Sequence, residues 1–304
     1  MGNGKKVLAV LFVVIAIYLL VAYWFFPFRV TEFVSGPSHS NFSLNSTGLV
    51  EMQFYENMRF TSSDISYQIS DCTLDKQNEM EQAFDIIENV TILNFFPVSS
   101  NEDISVTCSS GSKIKGGLFI GGEGGPTNIT KTDTFSVVKH GNILLIRPTN
   151  CKDPIIPTHE LLHVLGFNHS SNKNNIMYPV IKCYQTVGEE IPNLLNELYS
   201  YPSYPDLAYD NVSASMEGRF LDLNITIRNQ GLINSNPAIV KVFADDEEIK
   251  QLTLDALEVG AGRMLILKNS FVSKLNFDSI RILIEYEYDE LRKNNNEYSL
   301  QIKK

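Results

Sequence analysis

Cysteine is scarce in this 304-residue chain, tryptophan nearly absent, and basic charge outnumbered. There are four cysteines, one tryptophan and five histidines, and 25 Lys and Arg stand against 35 Asp and Glu, a net charge of −10. A phosphate-backbone partner needs a basic footprint, so nucleic acid is excluded as a partner. No run of like charge is long enough to form an interaction tail. The cysteines contain no Cys-x-x-Cys pair, which removes the usual spacing of a thiolate metal or redox site. The one glycine-rich stretch, GGEGGPT from Gly121 to Thr127, lacks the Gly-Lys-Ser/Thr of a phosphate-binding loop. No internal repeat is present. What remains is ordinary globular material, with 43% hydrophobic and 20% charged residues, in a chain long enough for about two domains.

The N-terminus departs from that pattern. Twenty consecutive residues, Val7 to Phe26, carry no charge, close to the ~20 that a helix needs to cross a hydrocarbon core. Lys5 and Lys6 precede them and Tyr23, Trp24, Phe25 and Phe28 follow. This places the N-terminus in the cytoplasm and an aromatic belt at the far interface. The run is longer than a signal-peptide core and no small-x-small cleavage site follows, which favours an uncleaved membrane anchor. An outside location is expected for the rest, making a single-pass protein of the cell membrane. Seven Asn-x-Ser/Thr sequons (Asn41, Asn45, Asn89, Asn128, Asn168, Asn211 and Asn224) slightly exceed the roughly four that composition would give, as in a glycoprotein. The cysteines Cys72, Cys108, Cys151 and Cys183 all follow the anchor. An even count in an exported chain predicts two disulfides, with three connectivities open.

The spacing of apolar residues divides the chain. After a cytoplasmic stub at 1–6 and the transmembrane segment at 7–26, residues 27–48 are rich in Ser, Asn, Gly and Pro and read as a stalk. A first domain spans 49–202. Met80, Ala83, Phe84, Ile87 and Val90 predict an amphipathic helix over 75–91, and further helices are expected at 154–165 and around 191–198. Short strands are predicted at 65–70, 104–109, 117–120 and 135–147, with 121–127 as a loop. Tyr201 to Pro205 form a natural boundary. From 206 to 304 the period changes to two. Leu221, Leu223, Ile225 and Ile227 alternate with polar residues, as do Ile280, Ile282, Ile284, Tyr286 and Tyr288, while Asp245-Asp246 supplies a hairpin turn. About seven strands without a helix predict an antiparallel sandwich.

The chemistry is concentrated in residues 159–169, HELLHVLGFNH. His159 and His163 at i and i+4 project from one helix face toward one point, while Glu160 is offset toward a water on the metal, where a general base belongs. Gly166 supplies the positive-φ stop that lets the chain turn back. His169 then completes a three-histidine site with its fourth position open, as one catalytic zinc ion requires. These five fixed positions coincide by chance in on the order of one chain in 10⁵ of this composition. His39 and His140 fall outside the pattern and read as ordinary polar residues.

HELLHVLGFNHS followed by Asn175-Ile176-Met177-Tyr178-Pro179 resembles the metzincin zinc peptidases, and Ser170 with Met-Tyr-Pro is most similar to the matrixin branch. The resemblance implies an α+β metzincin catalytic domain with Met177 as the Met-turn floor beneath the zinc. In the astacin-like branch a zinc-reaching tyrosine comes two residues after the Met; Pro179 holds that position here, so Tyr178 is assigned to the substrate pocket. Cys72 lies in SDCTLD, unlike a cysteine-switch segment, and no second His/Asp cluster matches the structural zinc of vertebrate matrixins. GGEGGPT is placed by the same resemblance beside the edge strand along which substrate binds. The favoured pairing is Cys72–Cys108 with Cys151–Cys183, since Cys151 precedes the zinc helix and Cys183 follows the Met-turn. The C-terminal domain resembles CARDB-like Ig-fold domains of surface proteins in its Leu221–Ile227 strand ending in Asn229-Gln230-Gly231, its Asp245-Asp246 hairpin, and Asp289-Glu290 before Asn294-Asn295-Asn296. The whole predicts peptide-bond hydrolysis on protein or peptide substrates, with a surface-protein partner for the sandwich. A surface adhesion protein with a vestigial site is the alternative, and the intact Glu160 speaks against it.

Overall fold

A computed structural model describes residues 3–25, 30–35, 52–147, 151–274 and 277–302. Phe28, His39, Asn41, Asn45 and most of the expected stalk lie outside these residues. The chain forms two compact units, Phe42–Tyr204 with Gln230–Ile233, and Met1–Asn41 with Pro205–Asn229 and Asn234–Lys304.

The chain begins with α1 (Asn3–Phe25) and β1 (Val30–Ser35). Among the described residues no helix is long and apolar enough to cross a membrane. The span expected at 7–26 is thus not found among them.

The first unit is built on a mixed sheet. Its elements are β2 (Met58–Phe60), β3 (Asp64–Ser70), α2 (Leu74–Glu88), β4 (Asn94–Pro97), β5 (Ile104–Cys108), the two-residue strands β6 (Ile114–Lys115) and β7 (Leu118–Phe119), β8 (Gly122–Lys131), β9 (Ser136–Leu145), α3 (Ile155–Val164) and α4 (Glu190–Ser200). The order is β2-β9-β5-β3-β4, with β8 also paired to β9. Parallel pairing joins all but β8, which runs antiparallel to β9. The helix periodicity is realised. Met80, Ala83, Phe84 and Ile87 are buried in the core, whereas Val90 is 45% exposed because α2 ends before it. GGEGGPT is not a loop but the start of β8. The short strands β2 and β4 were not expected.

Lys76 and Arg59 enter this core, and among the described residues neither has a carboxylate partner. Lys76 Nζ donates to the carbonyls of Ser109, Leu145 and Ile146. The Arg59 guanidinium donates to the carbonyls of Phe60, Leu198 and Tyr201 and lies 4.4 Å from the Tyr199 ring centroid. Burial lowers its pKa from the usual value. Carbonyls at the end of α4 are natural partners for this charge, since they carry the negative pole of the helix.

The second unit contains β10 (Leu207–Glu217), β11 (Phe220–Asn229), β12 (Ala238–Ala244), β13 (Glu247–Leu254), β14 (Gly262–Phe271), β15 (Ser279–Glu285) and β16 (Glu297–Ile302). Leu221, Leu223, Ile225, Ile227, Ile280, Ile282 and Ile284 are buried, as their alternation requires. Tyr286 and Tyr288 lie beyond the end of β15. Asp245 takes φ 47° at the hairpin between β12 and β13, a left-handed conformation that Asp tolerates. An eighth strand corrects the stalk expected at 27–48. Val30–Glu32 pair with β10 and Phe33–Ser35 with β16, so β1 crosses from one sheet of the sandwich to the other. Phe33 packs against the sandwich core as it does so.

Candidate metal centre

Helix α3 is buried along its whole length. Buried helices can hold polar groups only where partners are fixed, and here each has one. Thr158 Oγ1 donates to the Pro154 carbonyl at 2.8 Å. The disulfide Cys151–Cys183 forms just before the helix, and Cys72–Cys108 is the other pair, the connectivity favoured on sequence.

The helix stops as its glycine requires. Gly166 has φ 103°; its N–H donates to the His163 carbonyl and that of Phe167 to the Leu162 carbonyl, both at 3.0 Å. This is a Schellman ending, which needs a left-handed residue after the cap. The chain then reverses and brings His169 back.

The structure brings together the three histidines singled out by spacing. One ligand atom from each of His159, His163 and His169 lies within 4.8 Å of the others, and the Nε2 atoms of His163 and His169 are 3.2 Å apart. Two nitrogens each ~2.05 Å from a tetrahedral zinc would be about 3.3 Å apart, so the donor set fits that ion. His159 Nδ1 lies 2.6 Å from the Ile176 carbonyl and His163 Nδ1 2.8 Å from the Phe167 carbonyl. Donation to those oxygens fixes the tautomer and leaves Nε2 with its lone pair facing the centre. Burial lowers the pKa of all three rings, with His163 brought down to about 4. They are therefore neutral near pH 7 and ready to ligate.

Glu160 is buried, 4% exposed. Burial pushes its pKa up to about 8, partly offset by a hydrogen bond from the Gly124 N–H. A neighbouring divalent charge would favour the ionised form. The group therefore suits a role in taking up and returning a proton.

The glycines of β8 explain how the sheet reaches this helix, and sequence reasoning missed them. A Cβ on Gly122 would lie 2.7 Å from Glu160 Cγ, one on Gly124 2.3 Å from the Glu160 carbonyl oxygen, and one on Gly141 of β9 2.4 Å from Val164 Cγ1. Alternate glycines in a strand are the signal that could have found this, since they mark close approach of another backbone.

Met177 is fully buried, with its N–H held by Asn175 Oδ1 at 2.8 Å and its carbonyl accepting from the Ser170 N–H at 2.8 Å. The turn thus presents the Ile176 carbonyl that orients His159. Tyr178 is half-buried, and among the described residues no hydrogen bond or ring contact joins it to the histidines. His140 lies elsewhere, between Ser105 and Thr127 at 3.1 and 3.0 Å. Phe54, another residue missed on sequence, stacks on His163 with centroids 5.7 Å apart.

A buried helix offering two imidazoles and a carboxylate against an edge strand, with a third imidazole brought back by the turn that follows, forms a metalloprotease-type centre. Residues 59–193 match the family model Peptidase_M10, matrixin. This part of the chain is accordingly similar to the catalytic domain of matrixins, which supports a zinc metalloprotease. A search of curated proteins returns no match. Among solved structures, high choriolytic enzyme 1, a hatching-enzyme zinc-protease from Oryzias latipes, is similar at 22% identity and TM-score 0.24; the match covers 36% of this chain and 46% of that one. A domain assigned to a cell surface protein of Methanosarcina acetivorans matches at 18% identity and TM-score 0.28, over 33% of this chain and 93% of that one. A CARDB domain from Pyrococcus furiosus, in complex with di-metal ions, matches at 16% identity and TM-score 0.24, over 32% and 88%.

Proposed function

We propose that this protein is an extracellular zinc endopeptidase in which Glu160 is the general base. The observation that carries this reading is the joint placement of three neutral imidazoles and a buried carboxylate whose pKa is raised to about 8. Zinc held by His159, His163 and His169 would lower the pKa of a water toward ~7 and polarise the scissile carbonyl. Glu160 takes the proton of the attacking water and returns it to the leaving amine. Among the described residues β8 pairs only with β9, so its other edge can take an extended peptide by strand addition. An edge open along its length suits cleavage within a chain.

Export to the cell surface is supported by the two disulfides and by the exposure of Asn89, Asn128, Asn168, Asn211 and Asn224. The apolar side chains of α1, from Val7 to Val21, are exposed and offer a point of attachment to a membrane. The sandwich then places the protease, by binding a surface partner. The test compares the full chain with Glu160→Gln on an unstructured protein substrate, with and without a chelator. Zinc content should persist in the variant while turnover falls by roughly 10²–10⁴. Wild-type turnover in the variant would refute the assigned role.

A further inference from the structure

The third ligand is held differently from the first two. His159 and His163 each have a carbonyl at Nδ1, whereas among the described residues no hydrogen bond reaches Nδ1 of His169. His169 is also exposed and lies beyond the helix end. A ligand on irregular backbone without an oriented ring loses its place unless the backbone itself is pinned.

That pinning comes from residues 52–54, which precede the segment matched to the family. Phe54 N–H donates to the Gly166 carbonyl at 2.9 Å and Asn168 N–H to the Met52 carbonyl at 2.7 Å, with Gln53 and Phe167 in an antiparallel bridge. Gly166–Asn168, the three residues before the third ligand, are therefore joined to 52–54. The pairing segment is in turn fixed by Gln53, 7% exposed. Its Nε2 donates to the Met58 carbonyl at 2.9 Å and its Oε1 accepts from the Met58 N–H at 3.1 Å. Met58 closes the loop by filling the space over Gly166, where a Cβ would lie 2.8 Å from its Cγ. From this segment Phe54 lays its ring on His163, nearly parallel at 26°.

We propose that residues 52–58 form a clamp on the metal centre and that Phe54 is its positioning residue. Its backbone holds the approach to His169 and its ring holds the plane of His163. The proposal rests on the zinc reading given above. It implies that the family-matched segment alone lacks part of its metal site.

The test is zinc competition against a chromophoric chelator, using the full chain, with thermal midpoints of the metal-free proteins measured alongside. Phe54→Ala should weaken zinc binding by roughly 10–100-fold, the range for groups that orient ligands, and Phe54→Tyr should stay within about threefold of wild type. Metal-free midpoints should not separate the two variants in the same way. Wild-type zinc affinity in Phe54→Ala, or equal losses in Phe54→Ala and Phe54→Tyr, overturns the proposal. If Phe54→Ala does not fold, Gln53→Ala decides: unchanged zinc affinity there overturns the clamp, and a loss with an unchanged metal-free midpoint supports it. A wild-type chain that holds no zinc overturns the metal reading itself, and the clamp with it.

Discussion

Three neighbouring glycines of β8 should respond to the same substitution in three different ways. At Gly124 an added Cβ would lie 2.3 Å from the Glu160 carbonyl oxygen and 2.9 Å from its carbonyl carbon and Cα. All three are backbone atoms of a buried helix, so no rotamer change relieves the clash. Strand and helix must separate by about 1 Å to restore ordinary contact, an overpacking cost of ~1–3 kcal/mol. For a unit of this size that lowers the midpoint by roughly 2–12 °C. A 1 Å displacement of Glu160 would cost roughly 10²-fold in rate. At Gly122 the atoms nearest the Cβ belong to the Glu160 side chain, at 2.7 Å from Cγ and 3.0 Å from Oε1. That carboxylate can swing away, so Gly122→Ala should lose activity with little loss of stability. At Gly125 nothing lies within 4 Å, and Gly125→Ala should be within about 0.5 kcal/mol of wild type. Calorimetry and kcat/KM on a short peptide read both axes for each variant. Gly124→Ala behaving like Gly125→Ala would refute the close approach of β8 to α3, and with it the account of how Glu160 is held.

Two further outcomes follow from the same structure. Replacing Cys151 and Cys183 by serine opens a loop of 32 residues, worth roughly 3–4 kcal/mol in the chain-entropy model; the midpoint of the metal-free protein should fall, and an unchanged midpoint would contradict that contribution. Deleting Val30–Ser35 removes the strand that joins both sheets of the sandwich. The half-buried Phe33 alone accounts for ~2 kcal/mol, or roughly 10 °C for a domain of about 100 residues. A truncated chain beginning at residue 49 should therefore show an earlier sandwich transition than one beginning at residue 27, and coincident transitions would count against β1 as part of that fold.

Legibility in the sequence followed how local the signal was. Helix α2 is written in a repeat that needs only its own residues, so its buried face was readable and only its end was misplaced. The strands β11 and β15 alternate for the same reason. β1 was not readable, because its six residues stand among Ser, Asn, Gly and Pro and are strand only through partners more than 180 and 260 positions away in sequence. β2 and β4 are three and four residues long, too short to show any period.

β8 misled for a subtler reason. Its glycines carry low strand propensity, which is what made GGEGGPT read as a loop. They are there because a helix backbone lies against the strand, and that contact exists only in the folded state. The metal centre divides along the same line. Ligand identity rests on spacing along one helix and one turn, so His159, His163 and His169 were legible, as was the need for Gly166. What orients the ligands is backbone: the carbonyls of Ile176 and Phe167, and the pairing of Met52–Phe54 with Gly166–Asn168. A carbonyl belongs to every residue type, so side-chain identity leaves no mark of it. Phe54 and Gln53 were exceptions in principle, yet nothing in their local pattern distinguishes them from other residues at a domain's start. The motif therefore names the atoms that meet the metal, while the groups that hold those atoms still become visible only when the chain has folded.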